Sequence, residues 1–291
     1  MVRTTPPRPI TVTEVFPELS AYKRTAIRLH PRPGASSADE SSMGGPLLWP
    51  AGEPWPHCTR DHEDEAGPVA LLPVLQVYAR DVPELPGWDW PEGTDLLQVL
   101  WCPNDHRDPS IDPWYEGPIP TLFWRRSADV QDVLHTPPAS RFACDPEYYH
   151  PADDWYTLTP CVIHPEAVAE YPDAGEVPKE LALRIHEWEE FSGPEYQYEL
   201  SISPGCKVGG WPTWHLTDFH AIDCPCGARM QPLLTIASSE WHGGGESWIP
   251  VEDHPDTRDS DPLGIDVGRY GQMRVFACPT SLDHPIRLDT Q

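Results

Sequence analysis

Apolar positions along this chain fall mainly into short runs of strand length, and several runs alternate with polar residues. In the segment 25–30, Ile27 and Leu29 alternate with polar neighbours, which is typical of a half-buried strand. Residues 121–124, 156–163 and 196–202 are also predicted to be strands. With 38 prolines and 20 glycines among these runs, most connections must be turns. The pattern therefore predicts an α+β fold made mainly of antiparallel β-sheet, with few helices.

Two segments have the spacing of helices rather than strands. One run places Leu181, Ile185, Trp188 and Phe191 on a single helical stripe and stops at the Ser-Gly-Pro sequence that follows. These four side chains are predicted to be core contacts. A second, shorter helix is predicted over 13–21, although a proline interrupts it.

Segments of the first half of the sequence recur, in the same order, in the second half. The matching pairs are 44–49 with 209–214, 55–58 with 220–224, 71–74 with 233–236, 96–103 with 271–279, and 105–106 with 283–284. Ordered matches of this kind indicate an internal repeat. We therefore predict two internally similar β-rich halves.

The repeat divides the chain into three parts. Residues 1–24 form a tail and a short helix, with the Pro-rich segment 1–9 expected to be mobile. Residues 25–178 form the first β-rich half with a Pro-rich extension, and 179–291 form the helix and the second β-rich half. The second half carries a longer insertion over 240–270.

The charge of the chain limits its ligands. Acidic residues outnumber basic ones, 46 to 20, and the formal net charge is −26. This disfavours nucleic acid, because phosphates need cationic groups, and favours either a basic protein partner or simply a solvated acidic surface. We see no signal peptide and no apolar run long enough to span a bilayer. We therefore expect a cytoplasmic protein, a monomer or homodimer, that does not associate with membranes.

The clearest candidate for chemistry is a zinc site in the second half formed by Cys224, Cys226, Cys278 and His284. Two cysteines on a tight turn, a third at the end of an apolar strand and a histidine after it supply the ligands that tetrahedral zinc prefers. The Cys-x-Cys spacing is tight, and a positive φ at Gly227 is expected to relieve it. The alternative is that Cys224 and Cys278 are buried as small apolar side chains with His284 at the surface.

An equivalent set in the first half comprises Cys58, His62, Cys102 and His106. Each Cys-x3-His pair can direct both ligands to one point, although His57 competes with His62. The alternative is that only the second half holds metal. In a reducing compartment, the other cysteines are expected to be structural thiols rather than disulfides: Cys144, Cys161 and Cys206.

The Gly, Pro, Trp and Cys motifs carry a resemblance to a known family. Residues 28–34, 44–46, 49–50, 207–212 and 278–284, in that order, resemble the YwqG-like family of bacterial domains of unknown function. The likeness covers most of the chain, and the Cys-rich elements are similar to a zinc-bearing subset. It implies a β-rich protein of two similar halves and no catalytic activity. Because some relatives occur in toxin and immunity contexts, it also implies an inhibitory, partner-binding role as one expectation.

The ligand count separates two functions. Four protein ligands close the coordination shell of zinc, whereas a catalytic zinc keeps a position for water. We therefore expect a non-catalytic, zinc-stabilised protein that presents an acidic and aromatic surface to an unidentified protein partner, such as a toxin that it neutralises. Trp88, Trp90 and Trp114 are either core anchors or part of that surface. The alternative is a metal-dependent hydrolase with an open, three-coordinate first-half zinc site. The Gly-rich run 242–246 lacks the ending of a phosphate-binding loop.

Overall fold

Two six-stranded sheets and a two-stranded one form the framework of this computed structural model, which describes residues 2–60, 68–107, 115–140, 155–242, 244–253 and 260–291. The strands are β1 Arg24–Arg28, β2 Arg32–Pro33, β3 Ser42–Met43, β4 Leu72–Tyr78, β5 Leu96–Trp101, β6 His106–Arg107, β7 Glu116–Gly117, β8 Pro120–Arg125, β9 Cys161–Val162, β10 Glu166–Glu170, β11 Lys207–Gly209, β12 Gln231–Ala237, β13 Gln272–Ala277 and β14 Arg287–Thr290. The α-helices are α1 Val12–Val15 and α2 Lys179–Ser192. Shorter helical segments are the 3-10 turns Pro17–Tyr22, Ser127–Asp129, Ala174–Glu176 and Glu246–Trp248 and the π-helical turn Tyr196–Ser201.

All strand pairs among these residues are antiparallel, which confirms the predicted fold class. The first sheet has the order β2-β9-β3-β4-β5-β8 and the second the order β10-β1-β11-β12-β13-β14. None of the helices in the described ranges has the length and apolar character needed to cross a membrane.

The border between the sheets differs from the predicted division of the chain. Strand β10 lies within the range 25–178, and β1 begins one residue before that range. Both strands nevertheless belong to the second sheet, where β1 pairs with β10 on one side and with β11 on the other. Residue 178 therefore does not mark the boundary between the two sheets.

Apolar side chains from both sheets pack into one cluster. Val77 and Leu97 of the first sheet share it with Ile236 and Val275 of the second. Every residue of the central strands β5 and β13 is buried. Each strand therefore contributes side chains to the main cluster and also to a smaller apolar cluster. These smaller clusters contain four of the candidate metal-ligating cysteines, Cys58 and Cys102 in one and Cys224 and Cys278 in the other. Burial on both sides explains the apolar runs 99–101 of β5 and 275–277 of β13, in which no polar residue alternates with the apolar ones.

A buried ion pair explains the Lys-Val-Gly-Gly-Trp sequence of the second sheet. Lys207 Nζ lies 2.7 Å from Glu170 Oε1, and the two side chains are 3% and 0% exposed. Nζ also donates to the carbonyls of Ser203 and Trp211, while Glu170 accepts from both backbone amides. Gly210 has a φ of 79°, and a Cβ there would clash with the Glu170 carboxylate. The glycine lets the turn pack directly on the ion pair.

Helix α2 forms where the apolar stripe predicted it. Leu181 and Ile185 are buried and Trp188 is partly buried against the same cluster. Phe191, however, is 87% exposed, so its predicted core contact is wrong. Residues advance by about 100° along a helix, which leaves residue 191 about 80° from Leu181 at the edge of the stripe.

Two predicted strands differ from the structure. Residues 196–202 form a π-helical turn over Tyr196–Ser201, in which Tyr196 and Leu200 are both buried, four residues apart. That spacing is helical, and the alternation of polar residues between them concealed it. In the segment 156–163, only Cys161–Val162 forms a strand.

The N-terminal tail is hydrogen-bonded to the folded chain rather than extended away from it. Thr4 N donates to Glu252 Oε2 at 2.7 Å, and Thr5 N donates to Glu166 Oε1 at 2.8 Å. The Thr5 hydroxyl in turn accepts a 2.7 Å hydrogen bond from the buried Arg28. The expectation of a mobile tail is therefore wrong for these residues, because the exposed Glu252, the half-buried Glu166 and the buried Arg28 hold them.

Candidate metal centre

A tight turn carries the first two ligands of the second-half cluster. Cys224 N donates to Ala228 O at 2.9 Å, and Gly227 N donates to Cys224 O at 2.8 Å. Gly227 has a φ of 88°, the left-handed conformation expected from the sequence. A Cβ there would meet nothing within 4 Å, so the glycine is needed for the backbone and not for packing. The turn presents Cys224 and Cys226 from one short hairpin.

The other two ligands follow β13. Cys278 comes directly after that strand, and His284 lies in the loop beyond. The ligand atoms of all four residues lie within 4.8 Å of one another. Cys226 Sγ is 3.6 Å from Cys278 Sγ, and Cys224 Sγ is 3.4 Å from His284 Nδ1. The structure thus brings together all four residues predicted for this site.

In the first half, the structure brings together three of the four predicted residues. The ligand atoms of Cys58, Cys102 and His106 lie within 4.8 Å of one another, and Cys58 Sγ is 3.5 Å from His106 Nε2. Cys102 and His106 are buried, while Cys58 is half-buried. His62 lies outside the described residues, so its place in this cluster stays a prediction.

The two clusters share one backbone pattern. Each cysteine hairpin is closed by two hydrogen bonds at matching positions, Cys58 N to Val69 O and Leu71 N to Pro56 O in the first, and Cys224 N to Ala228 O and Met230 N to Ile222 O in the second. The strands that follow, β4 and β12, each have an irregularity directly after a proline, Pro73 or Pro232. Strands β5 and β13 each end one residue before a ligand, Cys102 or Cys278.

The measured separations fit a tetrahedral metal. Zinc bonds of about 2.3 Å to sulfur and about 2.0–2.1 Å to nitrogen place two sulfurs about 3.8 Å apart and a sulfur and a nitrogen about 3.5 Å apart. The observed values are 3.6 Å between sulfurs and 3.4 and 3.5 Å between sulfur and nitrogen. A disulfide would need about 2.0 Å, and the cysteines of both clusters are free thiols. Both groups can therefore hold a metal ion.

Polar side chains orient the sulfurs in both clusters. Thr280 Oγ1 lies 3.0 Å from Cys278 Sγ, and Asn104 Nδ2 donates to Cys102 Sγ at 3.6 Å. Hydrogen bonds of this kind fix and tune metal ligands. Thr280 and Asn104 were not predicted from the sequence, although each lies two residues after a ligand cysteine in a Cys-Pro-x sequence.

Electrostatics favour thiolates at the two hairpin turns. A hydrogen bond from the Cys102 thiol, the largest effect on Cys58, lowers the pKa of Cys58, and His106 acts in the same direction. The backbone amide of Ala228 lowers the pKa of Cys226. Zinc binds the thiolate and not the thiol, so these contacts favour Cys58 and Cys226 as ligands, whereas the same hydrogen bond raises the pKa of Cys102.

Two further cysteines, Cys161 and Cys206, do not belong to either cluster. Cys161 and Cys206 are buried, and burial raises the pKa of Cys206 well above its usual value, so both have the inert character expected of structural thiols. Cys144 lies outside the described residues. Trp88 and Trp90 pack partly buried against the main core, as anchors, and the Trp88 indole donates to Cys278 O at 2.9 Å. Trp114 lies outside the described ranges.

Comparison with known proteins identifies no family: no protein-family model and no curated protein matches the chain. The resemblance to the YwqG-like family therefore stays a prediction that rests on the motifs given above.

Proposed function

We propose that this chain is a non-catalytic protein stabilised by two zinc ions, one in each cysteine cluster. The observation that carries the proposal is the set of four ligand atoms from Cys224, Cys226, Cys278 and His284, all within 4.8 Å of one another. Three thiolates and one imidazole from the protein fill a tetrahedral shell. Such a metal links the hairpin turn to the end of β13 and has no open position for a substrate.

We also infer that the two clusters descend from one duplicated hairpin unit. The matched hydrogen bonds, the irregularity after Pro73 and Pro232, and the strands that end before Cys102 and Cys278 all support this proposal. On that inference, zinc in one half implies zinc in the other, with His62 as the fourth ligand of the first site.

Metal analysis tests the proposal directly. Purified protein is expected to contain two zinc ions per chain by elemental mass spectrometry. Cys278→Ser is expected to retain one, while Cys206→Ser, which changes a buried thiol outside the clusters, is expected to retain both. Protein without stoichiometric metal would refute the proposal.

A chelator tests whether the metal supports the fold. Loss of about 2–3 kcal/mol of binding free energy lowers the melting temperature of a chain of 291 residues by about 3–5 °C. If zinc is removed and the melting temperature stays the same, the structural role is wrong.

A metal-dependent hydrolase remains as a second candidate because the described residues supply only three ligands at the first site, Cys58, Cys102 and His106. Three protein ligands and a water are typical of catalytic zinc. His62→Ala separates the two: a lower zinc affinity supports a closed site, and unchanged affinity supports an open one. Two cavities among the described residues, of about 600 and about 60 Å³, are lined by residues other than these three ligands.

For its partner, we propose a basic protein in the cytoplasm, such as a toxin that a YwqG-like relative would neutralise. The net charge of −26 supports this choice, because it attracts cationic surfaces. A complex held by this charge is expected to form more slowly as salt increases. A purified partner whose association rate is unaffected by salt would contradict the electrostatic part of the proposal.

A further inference from the structure

The four ligands of the second cluster differ sharply in their access to solvent. Cys278 and Cys224 are 0% and 4% exposed, whereas Cys226 is exposed. Cys226 stands on the turn 225–227, where Gly227 has open space around it. A reagent in solution therefore reaches one thiolate of this cluster before the others.

The exposed thiolate has a second sulfur beside it. Cys226 Sγ lies 3.6 Å from Cys278 Sγ, while Cys224 Sγ lies against His284. A disulfide needs a separation of about 2.0 Å, so the two sulfurs must approach by about 1.6 Å. The short exposed turn can supply this movement, because no side chain packs around its glycine.

We propose that Cys226 is an oxidation site, at which a peroxide converts the second zinc centre into a Cys226–Cys278 disulfide and releases its metal. This inference rests on the proposed zinc binding. It adds a modification that would loosen the contact between the hairpin turn and β13, while the first centre keeps its metal.

The chemistry takes two steps. The Cys226 thiolate attacks the peroxide O–O bond, forms a sulfenic acid and releases hydroxide; the Cys278 thiolate then attacks the sulfenic sulfur and releases a second hydroxide. Two electrons pass from the two sulfurs to one peroxide, and one S–S bond forms. The metal keeps only Cys224 and His284 as protein ligands and dissociates.

The first centre provides an internal comparison. Among its described ligands, Cys58 is the most accessible, but it is half-buried and not exposed. Cys102 and His106 are buried. Because attack requires access to the thiolate, zinc at the first centre is expected to leave more slowly, by on the order of tenfold.

Peroxide-driven zinc release from fully loaded protein tests the proposal. The two-zinc protein is treated with hydrogen peroxide in the presence of a chromogenic zinc chelator. The remaining thiols are then alkylated, and the disulfides are mapped by mass spectrometry. We expect one equivalent of zinc to be released in a fast phase and a Cys226–Cys278 disulfide to be found in the map. Reduction followed by added zinc should restore the second zinc ion. Cys226→His preserves four ligands and removes the exposed thiolate, so its second zinc should resist peroxide.

The outcomes separate the two proposals. Protein that contains no zinc refutes both of them. Zinc that is bound but not released, release from both centres at one rate, a Cys58–Cys102 disulfide, or hyperoxidised Cys226 without a disulfide refutes the oxidation site alone. If Cys226→His does not fold, the disulfide map of the unmodified chain decides the question.

Discussion

The buried Lys207–Glu170 ion pair should be among the most sensitive points of the fold. Lys207→Met keeps much of the side-chain volume and removes the charge. Glu170 is then left buried, with only neutral donors from Ser203 and Trp211. Because the side chains are 3% and 0% exposed, water cannot replace the lost ammonium group.

The size of the effect follows from burial. Removing one partner of a buried pair costs about 3–5 kcal/mol, and the donors that Glu170 retains favour the lower end. A loss of about 3 kcal/mol is a large part of a typical total stability of about 5–15 kcal/mol. With an unfolding entropy of about 2.1 cal/mol/K per residue, it corresponds for a chain of 291 residues to a fall in melting temperature of about 5 °C.

Urea denaturation of matched variants measures this effect. Arg184→Ala breaks an ion pair with Glu18 at 2.6 Å in which the side chains are 48% and 50% exposed, so it should cost far less. Lys207→Met combined with Glu170→Gln should be more stable than Lys207→Met alone, because no charge is left buried. If Lys207→Met costs no more than Arg184→Ala, or if the double variant is the less stable one, burial does not set the strength of this pair.

Three further predictions concern a turn, a carboxyl group and a metal ligand. Gly210→Ala should cost about 2–5 kcal/mol in urea denaturation, since it adds both a left-handed strain and a clash with Glu170, while Gly193→Ala, with a φ of 92° and open space, should cost only about 1–2 kcal/mol. Burial raises the pKa of Glu176 to about 7, so Glu176→Gln should stabilise the protein by about 3 kcal/mol at pH 8 and have little effect at pH 4. Thr280→Val should weaken zinc binding at the second centre about tenfold in a chelator competition, because Cys278 loses a hydrogen bond.

The sign of the pH effect follows from the direction of the Glu176 shift. The folded state binds this proton more tightly than the unfolded state, whose pKa is near 4.5. Stability from this group is therefore complete below pH 4.5 and is lost as the pH rises through 7. Each variant is compared with the unmodified protein at the same pH, which cancels the pH dependence of metal binding. If Glu176→Gln stabilises the protein equally at pH 8 and pH 4, Glu176 is not the titrating group. If Gly210→Ala and Gly193→Ala lower the free energy of unfolding equally, the clash with Glu170 is excluded. Loss of zinc from both centres in the threonine variant would indicate a general defect in folding.

Local signals in the sequence were enough to predict helix α2 and the residues that meet at the second metal centre. The helix has a 3.6-residue apolar repeat, and the centre has soft ligands on a turn and at a strand end, so neither requires knowledge of distant contacts. The π-helical turn Tyr196–Ser201 was missed because its polar positions imitate strand alternation.

Contacts between distant parts of the chain could not be predicted in the same way. Thr4 and Thr5 have the composition of a tail, and only the folded chain places Glu252 and Glu166 beside them. The partners are 248 and 161 residues away, and no periodic pattern marks a hydrogen bond of that kind. The placement of β1 in the second sheet has the same cause, since its alternation predicts a strand but not its neighbours.

That placement of β1 has a consequence for how the protein is made. Its neighbour β11 begins at Lys207, and β14, at the other side of the same sheet, ends at Thr290. At about 5–20 residues per second, a ribosome needs on the order of ten seconds or more to deliver β11 after β1 has emerged. Even after β10 has emerged and paired with β1, the other edge of β1 stays unpaired until β11 follows, and this edge is a site for aggregation or for a chaperone.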